Sequence, residues 1–481
     1  MTLPDAHEIR RAVSTRALSA VELCRASLER ISALNPALNA FITVAADRAL
    51  ERAVRLDASA DRPALPLLGV PIAVKDNICT RGIRTTAGSR VLDGYEPPYD
   101  AAVIERLENA GAIVVGKTNC DEFAMGSSTE HSAFGPSRNP WSPDRTPGGS
   151  SGGSAVAVAT RMTPLALGSE TGGSVRQPAA LCGVSGLKPT YGRISRYGLI
   201  AFSSSMDQVG PFATNIADLA ALLQVLAGPD HRDSTCLTEA PPDYAATLDD
   251  GITGLRVGVP RDFLSDGVDP GVRDAFDVSL EVLRAAGASI LDIDLPHARY
   301  ATPTYAIVAM AEASSNLGRY DGVRFGPRGD ADTLNGMYLR TRALFGREVK
   351  RRLMLGTYVL SGGYYDAYYV RAQRVRALLR QDYDRAFEAV DVIATPTSPT
   401  TAFPLGARIE DPLQMYLADI FTTSANLSGL PALSVPCGFA DALPVGLQLT
   451  GRAWDEAMLL RVGAEYERRT AWHLQLPPTA V

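Results

Sequence analysis

Three residues with reactive side chains sit in glycine-rich or apolar frames: Lys75 in A-V-K-D-N, Ser150 in T-P-G-G-S-S-G-G-S (Thr146 to Ser154), and Ser174 in S-E-T-G-G-S-V-R-Q-P (Ser169 to Pro178). Together they read as a serine nucleophile served by an amine in place of an imidazole. A serine hydroxyl is a poor nucleophile at neutral pH unless a base takes its proton, and a lysine is that base only when burial or nearby cations push its pKa down. Lys75 follows the apolar run V-P-I-A-V, so its stem is expected to leave a buried sheet edge where the ammonium is disfavoured. The competing reading is a surface ion pair with the adjacent Asp76. Glycine tolerates positive φ and close approach of backbone to a ligand, so each Gly-Gly-Ser can aim successive N–H groups at one point beside a hydroxyl. Such a point is where an oxyanion would form.

The elements that must position these residues alternate between strand and helix. From about Leu67, L-L-G-V-P-I-A-V reads as a strand, Ala101 to Ala110 as a helix closed by Gly111, and A-I-V-V as the next strand. Ala155 to Ala159 follows as a small-residue helix, P-L-A-L-G-S as a strand and Ile216 to Leu226 as a helix. The stretch between Ser150 and Ser174 therefore holds one helix and one strand, which lets both serines return to one rim of a sheet. Upstream, S-A-V-E (Ser19 to Glu22) is a capping-box pattern that opens a helix with Val21, Cys24, Leu28 and Ile31 on its inner face. The polar, proline-bearing segment Gly228 to Tyr244 reads as a long surface connection. Beyond it the rhythm resumes: Leu255 to Val259 as a strand, a helix through Phe276, Leu280 and Leu283 ending near Gly287, and Leu291, Ile293 and Leu295 as a half-exposed strand. This pattern argues for an α/β sheet covered on both faces, in one interwoven domain.

Other chemistries find little support. The five histidines lie outside the Gly-Ser segments, although spacing alone does not decide against a Ser-His-Asp set assembled from distant residues. The six cysteines are scattered, with no C-x-x-C pair and no zinc spacing, so neither a disulfide framework nor a metal site is expected. G-A-I-V-V-G-K-T (Gly111 to Thr118) fits the phosphate-loop expression by letter, but Ile113, Val114 and Val115 make the supposed loop a strand. With Lys+Arg 47 against Asp+Glu 53, the net charge of −6 favours neither a nucleic-acid backbone nor an anionic membrane. No apolar run approaches the ~18 residues of a membrane span, and a cytoplasmic location is expected.

The Lys75, Ser150 and Ser174 motifs resemble the amidase signature family over about Leu67 to Pro211, and the chain is identified as a member of it. The resemblance implies a single large α/β domain over residues 1–481, with a central mixed β-sheet covered by helices on both faces. It implies carboxamide cleavage in which Ser174 is acylated, Ser150 bridges after a cis Gly149–Ser150 bond, and Lys75 is the ultimate base. The N–H groups of Thr171, Gly172, Gly173 and Ser174 then form the oxyanion hole. Within the family, C-D-E-F-A-M-G-S-S-T-E-H-S-A-F-G, K-P-T-Y-G-R-I-S-R-Y-G-L-I-A-F-S-S-S-M-D-Q-V-G-P and F-G-R-E-V-K-R-R-L-M-L-G-T-Y are most similar to the glutaminase subunits of tRNA-dependent amidotransferases. That likeness implies B and C subunits as partners in a heterotrimer, tRNA bound only through the B subunit, ATP and Mg²⁺ at the partner's site, and no cofactor in this chain. Glutamine as substrate needs a cation for its α-carboxylate and an anion for its α-ammonium. By motif position these are Arg352 in E-V-K-R-R and Asp419 in Y-L-A-D-I-F, with Tyr305 in the pocket wall. The family commonly has asparagine where His131 stands, and His131 is assigned no role. A stand-alone amidase for a small carboxamide is the alternative.

Overall fold

The computed structural model describes residues 2–59, 65–264 and 267–480. Eleven strands among them form one mixed sheet: β1 (Phe41–Val44), β2 (Pro71–Lys75), β3 (Ile113–Thr118), β4 (Leu165–Glu170), β5 (Ser185–Lys188), β6 (Gln208–Ala213), β7 (Arg256–Val259), β8 (Ser289–Asp292), β9 (Val392–Pro396), β10 (Ala432–Ala440) and β11 (Leu443–Thr450). Their order across the sheet is β1-β3-β2-β4-β6-β5-β10-β11-β9-β7-β8. The centre is built from both halves of the chain, since β5 pairs with β10, and this is the single α/β domain expected from the alternating pattern.

β2 lies between β3 and β4 and runs parallel to both. Parallel neighbours deliver their carboxyl ends to one rim, where open α/β sheets place their ligands. Lys75 is the last residue of β2, and Glu170 at the end of β4 leads into Thr171–Ser174. The helix Gly152–Ala159 crosses over from β3 to β4 and starts on that same rim, with Ser150 and Ser151 just ahead of it. All five residues of β2 and all six of β3 and β4 are buried, as near-continuous apolar runs covered on both faces require.

The G-A-I-V-V-G-K-T stretch is β3 itself, with Gly116 and Lys117 inside the strand and Gly111 at a φ of +90° after the helix Ala102–Asn109. A side chain on Gly116 would meet the Thr43 carbonyl oxygen of β1 at 2.4 Å. The glycine serves strand packing, and no phosphate cradle exists there. Ser19 and Glu22 form the capping box of the helix Ala20–Leu38. The strand expected through Leu291, Ile293 and Leu295 instead spans Ser289–Asp292. Among the described residues it pairs with β7 alone, and it stops ahead of Pro296, which has no N–H to give a ladder; Leu295 turns away into a cluster with Tyr383 and Phe387. The Gly228 to Tyr244 segment is turns and bends, pinned by buried Asp233, whose carboxylate accepts from the Arg196 N–H at 2.9 Å, and by buried Tyr244. No helix among the described residues is long and apolar enough to cross a membrane.

Candidate active site

Lys75 reaches the rim fully buried, because its stem leaves a strand covered on both faces. Its Nζ donates to Ser150 Oγ at 2.7 Å, to Ser151 Oγ at 2.9 Å and to the Ser169 carbonyl oxygen at 3.2 Å. Burial pushes the amine down to about 8, against the pull of Cys120, Asp121 and Glu170 nearby. The ion pair with Asp76 does not form. The Asp76 carboxylate turns to the Thr86 N–H at 2.9 Å, and Lys75 has no carboxylate at ion-pairing distance among the described residues.

The Gly149–Ser150 bond is cis. Gly149 is tightly hemmed in: a Cβ there would lie 2.4 Å from Asp121 Oδ2 and 2.7 Å from the Ser128 nitrogen. Buried Asp121 organises this corner, accepting from the N–H groups of Thr129 at 2.8 Å and His131 at 3.0 Å. Gln177 ties three segments together: its Oε1 accepts from the Gly149 N–H at 2.9 Å, and its Nε2 donates to the Ser127 carbonyl at 2.9 Å. The Ser151 N–H donates to the Ser174 carbonyl at 3.1 Å, so the two Gly-Gly-Ser loops are joined through backbone.

Ser174 closes the turn ahead of the helix Arg176–Cys182 and is 6% exposed. Among the described residues, the N–H groups of Thr171, Gly172, Gly173 and Ser174 and the Ser174 hydroxyl make no hydrogen bond to another protein group. Such a row of free donors beside a hydroxyl suits an incipient oxyanion. Glu170 holds the turn from below. Its Oε2 accepts from the N–H groups of Val175 at 2.9 Å and Arg176 at 3.1 Å, and its Oε1 from Arg176 Nε at 2.9 Å. Burial opposes its ionisation, yet the Arg176 guanidinium keeps it below the usual carboxylate range. Both side chains are fully buried, so Glu170→Gln leaves a cation without its partner. It is expected to cost about 3–5 kcal/mol, read as a lower midpoint in denaturant unfolding.

The remaining expected residues surround this turn. Tyr305, on the helix Ala301–Asn316, shares a hydrogen bond with Thr171 Oγ1 at 2.8 Å, and its ring stands 2.8 Å from where a Cβ on Gly172 would project. Asp419 is the counterpart across the turn, its Oδ1 2.6 Å from where a Cβ on Gly173 would project. Its Oδ2 accepts from Ser127 Oγ, while its buried Oδ1 has no hydrogen-bond partner among the described residues. Burial raises the Asp419 carboxyl to about 7. Arg352 lies on the inner face of the helix Arg347–Val359, with Nε donating to Glu348 Oε1 at 2.8 Å and its guanidinium between the Phe202 and Tyr416 rings. Its charge acts on both Tyr305 and Asp419. His131 lines a cavity of about 250 Å³ beside Glu122 and Glu348.

Sequence reasoning left four contributors without a role: Ser151, Asp121, Gln177 and Ser127. All four stand inside the quoted motifs, and the density of small polar residues there was the available signal. Ser127 meets Asp419 across 292 positions, a contact no local spacing announces.

The family model for amidases matches residues 22–460. Over 467 residues the chain is 58% identical to the A subunit of the glutamyl-tRNA(Gln) amidotransferase of Chloroflexus aurantiacus, covering 96% of each chain. The crystal structure of the A subunit of the glutamyl-tRNA(Gln) amidotransferase from Thermotoga maritima is 43% identical, covers 92% of this chain and 90% of its own, and superposes with a TM-score of 0.77. A peptide amidase in complex with the competitive inhibitor chymostatin is 34% identical, with a TM-score of 0.83 and 97% of each chain covered.

Proposed function

The chain belongs to the amidase signature family, and from that premise we propose that it is the glutamine-hydrolysing subunit of a tRNA-dependent amidotransferase. The observation that carries this reading is a fully buried lysine, with no carboxylate at ion-pairing distance among the described residues, whose amine touches the Ser150 and Ser151 hydroxyls. In it, Ser174 Oγ attacks the side-chain carboxamide of glutamine, and its proton passes through Ser150 to the neutral Lys75 amine. The carbonyl oxygen, now anionic, takes hydrogen bonds from the N–H groups of Thr171 to Ser174. Lys75 returns the proton through Ser150 to the departing nitrogen, ammonia leaves, and water releases glutamate from Ser174 by the same relay.

Arg352 holds the substrate's α-carboxylate, and the unpartnered Asp419 Oδ1 holds its α-ammonium beside Gly173. Tyr305 forms the wall over Gly172. A B subunit passes the ammonia to Glu-tRNA(Gln), Asp-tRNA(Asn) or both, with ATP and Mg²⁺ at its own site, and a C subunit braces the pair.

The test is release of glutamate and ammonia from glutamine by the purified chain, slow alone and faster with its partners. Arg352→Ala is expected to lower kcat/KM for glutamine on the order of 100-fold, mostly through KM, while sparing turnover of a simple carboxamide such as benzamide. Glutamine turnover indifferent to that change would turn the reading to the stand-alone amidase.

A further inference from the structure

The helix Arg347–Val359 has two unlike faces. Inward, Glu348, Val349, Arg352, Gly356 and Val359 are buried, and a Cβ on Gly356 would stand 1.9 Å from the Met310 carbonyl oxygen, so the helix lies flush against Ala301–Asn316. Outward, Met354 is 68% exposed, and Leu355, Tyr358 and Leu360 are exposed with it. The Tyr358 ring centroid lies 4.3 Å from that of Tyr364 and 6.1 Å from that of Tyr368, which carries the surface onto the π-helical turn Asp366–Val370. Tyr364 and Tyr368 are exposed as well. Single exposed apolar residues are ordinary, but a contiguous patch of them marks an interaction site.

Past Tyr368 the surface dips into a cavity of about 440 Å³ whose walls include Ile307, Ala372, Val375, Leu378 and Arg371. Along the stretch from Arg347 to Arg380, Lys350, Arg371 and Arg374 have no carboxylate at ion-pairing distance among the described residues, whereas Arg347, Arg351 and Arg380 pair with Glu410, Glu348 and Asp384 and Arg352 is turned inward. All but one of those cations are arginine, the exception being Lys350. Tyrosine, methionine and arginine with little lysine are the residues enriched in protein–protein interface cores. A phosphate-binding surface is carried by lysine and arginine contacts to the backbone, and exposed Met354 and Leu355 add nothing to those.

We propose that this patch docks another protein subunit of the amidotransferase, through a segment that sets an apolar side chain in the Ile307–Leu378 cavity and carboxylates against Arg371 and its neighbours. The proposal rests on the reading that the chain works beside other subunits. It places that partner on the outer face of the helix whose inner face carries Arg352, one helix diameter of about 10 Å away from the carboxylate clamp.

The test uses the full chain with the B and C subunits of its own amidotransferase, in the absence of tRNA. Met354→Asp and Arg371→Glu are each expected to weaken assembly at least about 30-fold by titration calorimetry, as loss of an interface hot spot does, while glutamine hydrolysis by the isolated variants stays within about twofold of wild type. Side-chain footprinting of the wild-type complex is expected to protect Met354, Tyr358 and Tyr368. Wild-type affinity in both variants, or an unprotected patch in a complex that does assemble, overturns the docking proposal and leaves the glutaminase reading standing. Intact assembly of both variants together with lost retention of tRNA, added in a parallel binding assay, overturns it in favour of a nucleic-acid surface. A wild-type chain that hydrolyses no glutamine and joins no partner overturns both.

Discussion

Ser174→Ala is expected to lower kcat for glutamine hydrolysis by about 10⁴-fold or more, the scale on which serine hydrolases lose turnover with their nucleophile. No neighbour can substitute. The Ser150 hydroxyl is engaged at 2.7 Å by Lys75, Ser151 Oγ is shared among Lys75, the Ser169 carbonyl and the Ser169 N–H, and Ser154 Oγ is committed to Thr118 and the Leu167 carbonyl. The fold survives the change, because Ser174 joins the Ser150 loop through its backbone carbonyl and not its side chain. Thermal unfolding of the variant should therefore match wild type, and a fluorophosphonate-type probe should label the wild-type chain at this position and leave the variant unlabelled. Turnover near the wild-type rate in Ser174→Ala would remove the covalent route and leave only a fold shared with amidases.

How much of this was legible in the sequence follows from the range of each interaction. β2, β3 and β4 announce themselves because a parallel strand buried on both faces must be a short apolar run, and P-I-A-V, I-V-V and L-A-L are such runs. Lys75, Ser150 and Ser174 are equally visible, since a glycine pair beside a serine leaves a local mark. The pocket beyond them is assembled from far apart. The Asp419 carboxylate takes its hydrogen bond from Ser127, Arg352 is flanked by Phe202 and Tyr416, and Tyr305 reaches Thr171 across 134 positions. Periodicity carries no information about such meetings, and only the resemblance pointed to these three. The pairing of β5 with β10, which draws the chain's last quarter into the centre of the sheet, was out of reach for the same reason.

Lys75→Ala is expected to lower kcat/KM by about 10³-fold, within the range for loss of a general base, and Lys75→Arg should not restore it because a guanidinium stays charged at every working pH. The wild-type pH profile gives an independent check. Burial holds the Lys75 amine at about 8, so below pH 8 most molecules carry an ammonium that cannot take a proton, and kcat/KM should rise tenfold per unit toward pH 8 and then level. Burial also raises Asp419 to about 7, and its carboxylate must be ionised to hold the substrate's ammonium. Below pH 7 two protons therefore have to leave, and the slope should approach two. Asp419→Asn should be weak at every pH and should show a slope of one throughout the acid limb, because only the lysine still titrates. A wild-type profile flat between pH 6 and 8 would mean that Lys75 enters catalysis already neutral, or not as a base at all. Measuring the profile with benzamide, which has no ammonium, separates the two groups: the step near 8 should remain and the one near 7 should vanish.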